Sequence, residues 1–129
     1  MPENFKKTIS AECILDMVKK KEKIVLEDVI IQGDLDFLHL DLPYVLKDEE
    51  LPDVYYRQEH FITQTQCVVE SSIKIINSEI QGYVDFSYVV FQKAIDFSDT
   101  TFQKGLTCIF TKFNDYVGFG SAKFEGLAT

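Results

Sequence analysis

The stretch that decides the fold is GYVDFSYVVFQ (82–92), KAIDFSDTTFQ (93–103), KGLTCIFTKFN (104–114) and DYVGFGSAKFE (115–125), four blocks of one length that align without a gap. Phe86, Phe91, Phe97, Phe102, Cys108, Phe113, Phe119 and Phe124 recur at spacings that alternate between five and six residues, so the unit is eleven residues long. Working outward, SSIKIINSEIQ (71–81) carries Ile73, Ile75 and Ile80 at the places of Val84, Phe86 and Phe91. HFITQTQCVVE (60–70) fits the frame more loosely, and GDLDFLHLDLP (33–43) and EKIVLEDVIIQ (22–32) resume it beyond an interruption at 44–59. A fixed repeat of this kind marks an array of small structural units stacked on one another.

An eleven-residue beat also suits a right-handed helical coiled coil. Here apolar and polar residues alternate within each block, as in Val84-Asp85-Phe86 and Ile95-Asp96-Phe97, which is the two-residue period of a strand. β-branched and aromatic residues crowd the blocks while strong helix formers are sparse after residue 71. Strands this short, wound in one sense with a polar corner between them, stack like positions on like positions. If two units make a turn, residues 22 apart lie about 4.8 Å from one another. The expected ladders are Ile75–Phe97–Phe119, Ile80–Phe102–Phe124 and Phe86–Cys108. Each buried ring contributes about 1.5–3 kcal/mol.

The segments Val84-Asp85-Phe86-Ser87, Ile95-Asp96-Phe97-Ser98 and Leu35-Asp36-Phe37 resemble the unit of the pentapeptide-repeat family, small-Asp/Asn-Leu/Phe-Ser-x. The resemblance covers 71–126 well and 22–43 fairly. It implies an all-β solenoid, a right-handed quadrilateral parallel β-helix, with the Asp of each unit pointing outward to satisfy the corners. Bulky Val, Ile or Leu replaces the family's small residue, and alternate units gain a residue.

Residues 1–21 read as an N-terminal segment with a capping α-helix over roughly 11–20, and 22–129 as the β-helix interrupted at 44–59. Ser10 is the expected N-cap, Glu12 sits where the helix dipole favours an acid, and Ile9 and Ile14 have the spacing of a hydrophobic staple. Ile14, Leu15 and Val18 form an apolar face suited to plugging one end of the core. At the other end, Gly126-Leu127-Ala128-Thr129 reads as the start of a further unit: either the chain is a fragment of a longer array, or its open end stacks on another copy to give a homodimer through the C-terminal end of the solenoid.

The net charge is −8, with 14 acids and 8 bases in residues 1–59 but 7 acids and 5 bases in 60–129. That balance gives no grip on phosphates, so no direct nucleic-acid binding is expected. No apolar run reaches a membrane span and no signal peptide opens the chain, so the expectation is a cytoplasmic protein with no membrane contact. Cys13, Cys67 and Cys108 are widely spaced and form no metal-ligand pattern, and they read as reduced thiols. His39 and His60 lack a nucleophile partner at any motif spacing, and no glycine loop for phosphate is present, so no cofactor and no enzymatic activity are expected.

The 44–59 insertion is acidic and reads as a solvated loop, with Tyr55 and Tyr56 as candidate contact residues. Tyr88 and Phe110, 22 apart, should stack on an outer edge with Ile109 beside them, and Leu127 completes the candidate protein-contact set. The expected function is a non-enzymatic structural or protein-interaction solenoid with an unidentified protein partner. The alternative, implied by the family resemblance, is a DNA-mimic modulator of a type II topoisomerase.

Overall fold

The computed structural model describes residues 6–38, 40, 44–46 and 65–129. Within them the eleven-residue unit is half a turn, and the chain winds into a parallel β-solenoid of about four turns with one short helix near its start. Four sheets run along it. The first holds β1 (Lys7–Ser10), β3 (Val29–Gln32), β8 (Glu79–Ile80), β12 (Thr101–Phe102) and β16 (Lys123–Phe124), in that order. The second holds β2 (Ile24–Glu27), β7 (Ile73–Ile76), β11 (Ile95–Asp96) and β15 (Val117–Gly118). The third is β4 (Leu35–Asp36), β9 (Val84–Asp85) and β13 (Leu106–Thr107), and the fourth is β5 (Tyr44–Leu46), β6 (Thr65–Val69), β10 (Val89–Phe91) and β14 (Lys112–Phe113).

The register has the expected 22-residue step: Ile95 pairs with Ile73 and Val117, Phe102 with Ile80 and Phe124, and Phe91 with Phe113. Because successive side chains on a strand face opposite ways, the first residue of a two-residue strand such as Val84 is buried and the second, Asp85, is half-buried. Phe37, Phe86, Phe91, Phe97 and Phe102 are among the largest fully buried side chains. Phe97 stacks on Phe119 with centroids 5.8 Å apart, Phe91 on Phe113 at 5.4 Å, and Phe102 on Phe124 at 4.9 Å. Within a turn the rings meet edge to face, as Phe86 does with Phe91 at 4.9 Å.

The corners follow from the polar residues of the repeat. Asp85 Oδ1 accepts the Ser87 amide at 2.9 Å and Asp96 Oδ1 the Ser98 amide at 3.0 Å, so each aspartate closes the bend two residues on. Asn77, Asp99 and Ser121, one turn apart, all turn the chain with φ of 52–55°. Thr100 is buried, but its hydroxyl donates to the Ile75 carbonyl at 2.9 Å, so its burial leaves no unmet donor.

The helix α1 (Ala11–Lys19) begins as expected at Ser10, whose Oγ accepts the Glu12 amide at 3.1 Å. Ala11, Ile14 and Val18 are buried against the first turn of the core. Gly33 leaves room for this: a Cβ there would stand 3.3 Å from that of Ala11. The strand before the helix, β1, is an addition to the expected plan. It pairs Lys7 with Val29 and Ser10 with Gln32, the same 22-residue step, so the array starts ahead of the helix.

The interruption is arranged differently from the simple frame. Leu35 pairs with Val84 and Val69 with Phe91, so 33–43 and 60–70 are not two successive units. The first supplies the third-sheet strand of a turn and the second supplies the fourth-sheet strand of that same turn. Ile24 accordingly pairs with Ile73, 49 positions on rather than 22. The stretch read as a solvated loop also begins with a strand: β5 pairs antiparallel with β6, Tyr44 opposite Cys67, while the other pairings among the described residues are parallel.

Candidate functional site

Tyr88 and Phe110 occupy the corner between the third and fourth sheets on successive turns, and their rings lie 5.6 Å apart at 39°. Both have positive φ, 60° and 55°, a conformation that bulky residues seldom adopt. The corner is held by the Tyr88 amide donating to the Ile109 carbonyl at 2.9 Å and the Ile109 amide donating to Ser87 Oγ at 3.2 Å. Tyr88 is half-buried under Phe110, whereas Phe110 and Ile109 are exposed. Leu127 lies on the strand-like start of a further turn. Its carbonyl accepts the Leu106 amide at 3.0 Å and its side chain is 79% exposed. Tyr55 and Tyr56 lie outside the described residues, as do His39 and His60.

Ile109, Phe110 and Leu127 are members of a larger set. Of the eight large hydrophobic side chains exposed among the described residues, six fall between 109 and 127: Ile109, Phe110, Tyr116, Val117, Phe124 and Leu127. Two of these are core positions of the repeat. Phe124 is 37% exposed while Phe102, one turn back, is 0% exposed, and Val117 is 36% exposed against 0% for Ile95. The residue types are unchanged, so the difference lies in what covers them. Among the described residues, Ile95 is covered by β15 and Phe102 by β16, whereas Leu127–Thr129 stack over the third sheet and leave Val117 and Phe124 open.

Val117 and Phe124 were absent from the sequence-derived contact set because their pattern marks them as core. The opposite end differs, because α1 lies across it.

Away from this end, an open trough of about 390 Å³ runs along the second sheet, lined by Lys23, Val25, Ser72, Lys74, Ala94, Asp96 and Tyr116 among others. It is shallow and open to solvent. Among the described residues no three His, Cys, Asp or Glu side chains are grouped to hold a metal ion, and no helix is long and apolar enough to cross a membrane. The three cysteines are free thiols. Cys108, standing in a phenylalanine place, is half-buried, and burial together with the Asp85 carboxylate pushes its thiol up to about 11. A thiol so raised is a poor nucleophile at neutral pH.

Compared with family models, curated proteins and solved structures, the chain matches none of them.

Proposed function

We propose that this chain is a non-enzymatic structural or protein-interaction solenoid, built on the pentapeptide-repeat plan, whose contact surface is the apolar corner of Tyr88, Ile109 and Phe110. The observation that carries the reading is the ring of Phe110 lying 5.6 Å from that of Tyr88 while Phe110 and Ile109 stand 49% and 47% exposed. An exposed cluster of aromatic and aliphatic side chains is the kind of surface that another protein covers. The Asp-Phe-Ser corners at 85–87 and 96–98 support the repeat plan, since each aspartate serves the backbone rather than facing a pocket. The topoisomerase-mimic alternative requires a continuous acidic face, and Lys74, Lys93, Lys104, Lys112 and Lys123 all stand exposed along the repeat.

The test is photo-cross-linking in cells that make the protein at its native level. A photoreactive residue replaces Ile109 in one strain and Val25, an exposed apolar residue of the first turn, in another. Protein adducts at 109 and few at 25 are expected; equal yields at the two positions would overturn the reading.

A further inference from the structure

We infer that the trough along the second sheet is a binding site for a planar aromatic carboxylate, with the ring against Tyr116 and the carboxylate between Lys23 and Lys74. It is separate from the contact corner and adds a small-molecule ligand to the proposed function. Its floor belongs to the two middle turns and its mouth faces sideways, so further turns at either end would lengthen the sheet without filling it.

The hollow comes from side-chain size on one column of the repeat. Ile24, Ile73, Ile95 and Val117 pair in succession, so the residues just before them, Lys23, Ser72, Ala94 and Tyr116, stack in the corner ahead of the second sheet. A lysine and a tyrosine therefore bracket two small residues, with about 4.8 Å between neighbours and about 14 Å from end to end. That span and the volume of about 390 Å³ suit a ligand of two fused rings. The carbonyls of Ser72, Ala94 and Tyr116 already accept the amides of Ile24, Ile73 and Ile95 at 2.9, 3.1 and 2.9 Å, which leaves recognition to the side chains.

Tyr116 is a seated wall. A Cβ at Gly118 would stand 2.7 Å from Tyr116 Cζ and 2.8 Å from Cε2, so the ring lies back across the glycine. Units at 36, 85 and 96 carry the repeat's aspartate at this place, and the glycine that replaces it is what gives the ring room. A wall already held in position loses little freedom when a ligand stacks on it.

The rim is cationic in a chain whose net charge is −8. Lys23 and Lys74 are exposed and, among the described residues, neither has an ion-pair partner. Val25 pairs with Lys74, so Lys23, two residues ahead of Val25, reaches the same mouth from the adjoining strand. Asp96 also lines the trough, but its carboxylate turns to Ser98, accepting from the amide at 3.0 Å and from the hydroxyl. Two unpaired cations beside a seated ring and a floor of small residues match an aromatic anion.

The experiment titrates β-naphthoate into the isotope-labelled full chain and follows the backbone amides by NMR. Saturable shifts centred on residues 72–74, 94–96 and 116 are expected. The Kd should be roughly 1 mM, as befits a small ligand in a shallow site. β-Naphthamide, which keeps the rings and loses the charge, should bind about fivefold more weakly, as should β-naphthoate to the Lys23→Gln/Lys74→Gln double variant. Tyr116→Leu should weaken binding about threefold through loss of the stacking face. Ala94→Leu fills the floor and should abolish binding while leaving Tm within about 2 °C of the natural chain. No saturation by about 10 mM overturns the inference, as do shifts centred elsewhere on the chain. Equal affinity for the acid and the amide, or an unchanged Kd in the double lysine variant, overturns it as well.

Discussion

Replacing Phe97 by alanine and, separately, Phe119 by alanine compares one ladder position in two states of coverage. Phe97 is 1% exposed, stacked on Phe119 at 5.8 Å and in contact with Phe86 at 5.9 Å and Phe102 at 5.5 Å. Removing a ring so enclosed deletes its transfer free energy and leaves a cavity that the paired strands cannot close, a cost of about 3–5 kcal/mol. Phe119 keeps the inner half of those contacts and is open on the other side, so truncation there costs roughly half as much. With an unfolding entropy of about 2.1 cal/mol/K per residue, the expected losses in Tm are roughly 10–20 °C for Phe97→Ala and 5–10 °C for Phe119→Ala. Thermal melts followed by circular dichroism give the comparison. Equal losses, or a larger loss at Phe119, would refute the idea that coverage by the next turn sets the energetics of the ladder.

Two further outcomes test separate parts of the structure. Ser10→Ala removes the oxygen that accepts the Glu12 amide and should lower stability by about 1 kcal/mol, read as a fall of a few degrees in Tm. Glycine at the same position, which lets water reach the helix end, should cost only a few tenths of that. For Cys108, the folded state holds the thiol protonated to about 11 while the unfolded chain titrates near 9.0. Its contribution is therefore constant below about pH 9 and is lost as pH rises towards 11, because only the unfolded chain gives up the proton in that window. Melts from pH 8 to 11 should show a steeper alkaline decline for the natural chain than for Cys108→Ala, and parallel declines would show that the thiol does not ionise differentially.

The repeat blocks from 71 to 125 were legible because every turn there repeats the same burial problem. A period-two pattern within an eleven-residue unit leaves one arrangement in which all inward residues meet inward residues, and the 22-residue step follows. The Ser10 cap was legible for a related reason, since the polar side chain that ends a helix acts within its own first turn. The Tyr88–Phe110 stack likewise followed from one step of the ladder.

Three features needed the folded chain. The units at 33–43 and 60–70 both carry acceptable patterns, and a frame counts them as two, yet the pairings place them as halves of one turn. Pattern records which face a residue prefers but not which turn it joins, because a loop of any length can separate two strands that pair. The strand Lys7–Ser10 was hidden for the same reason: it is too short to carry a period, and its partner at Val29–Gln32 lies beyond a helix. The exposure of Phe124 and Val117 was the third. By themselves those residues are indistinguishable from Phe102 and Ile95, and the difference in exposure comes from the strands β16 and β15 stacked on the latter pair. The sequence alone determined the repeat, its inward residues and the helix that closes one end; tertiary stacking decided which turn each strand joins and which inward residues remain uncovered, because both depend on neighbours distant along the chain.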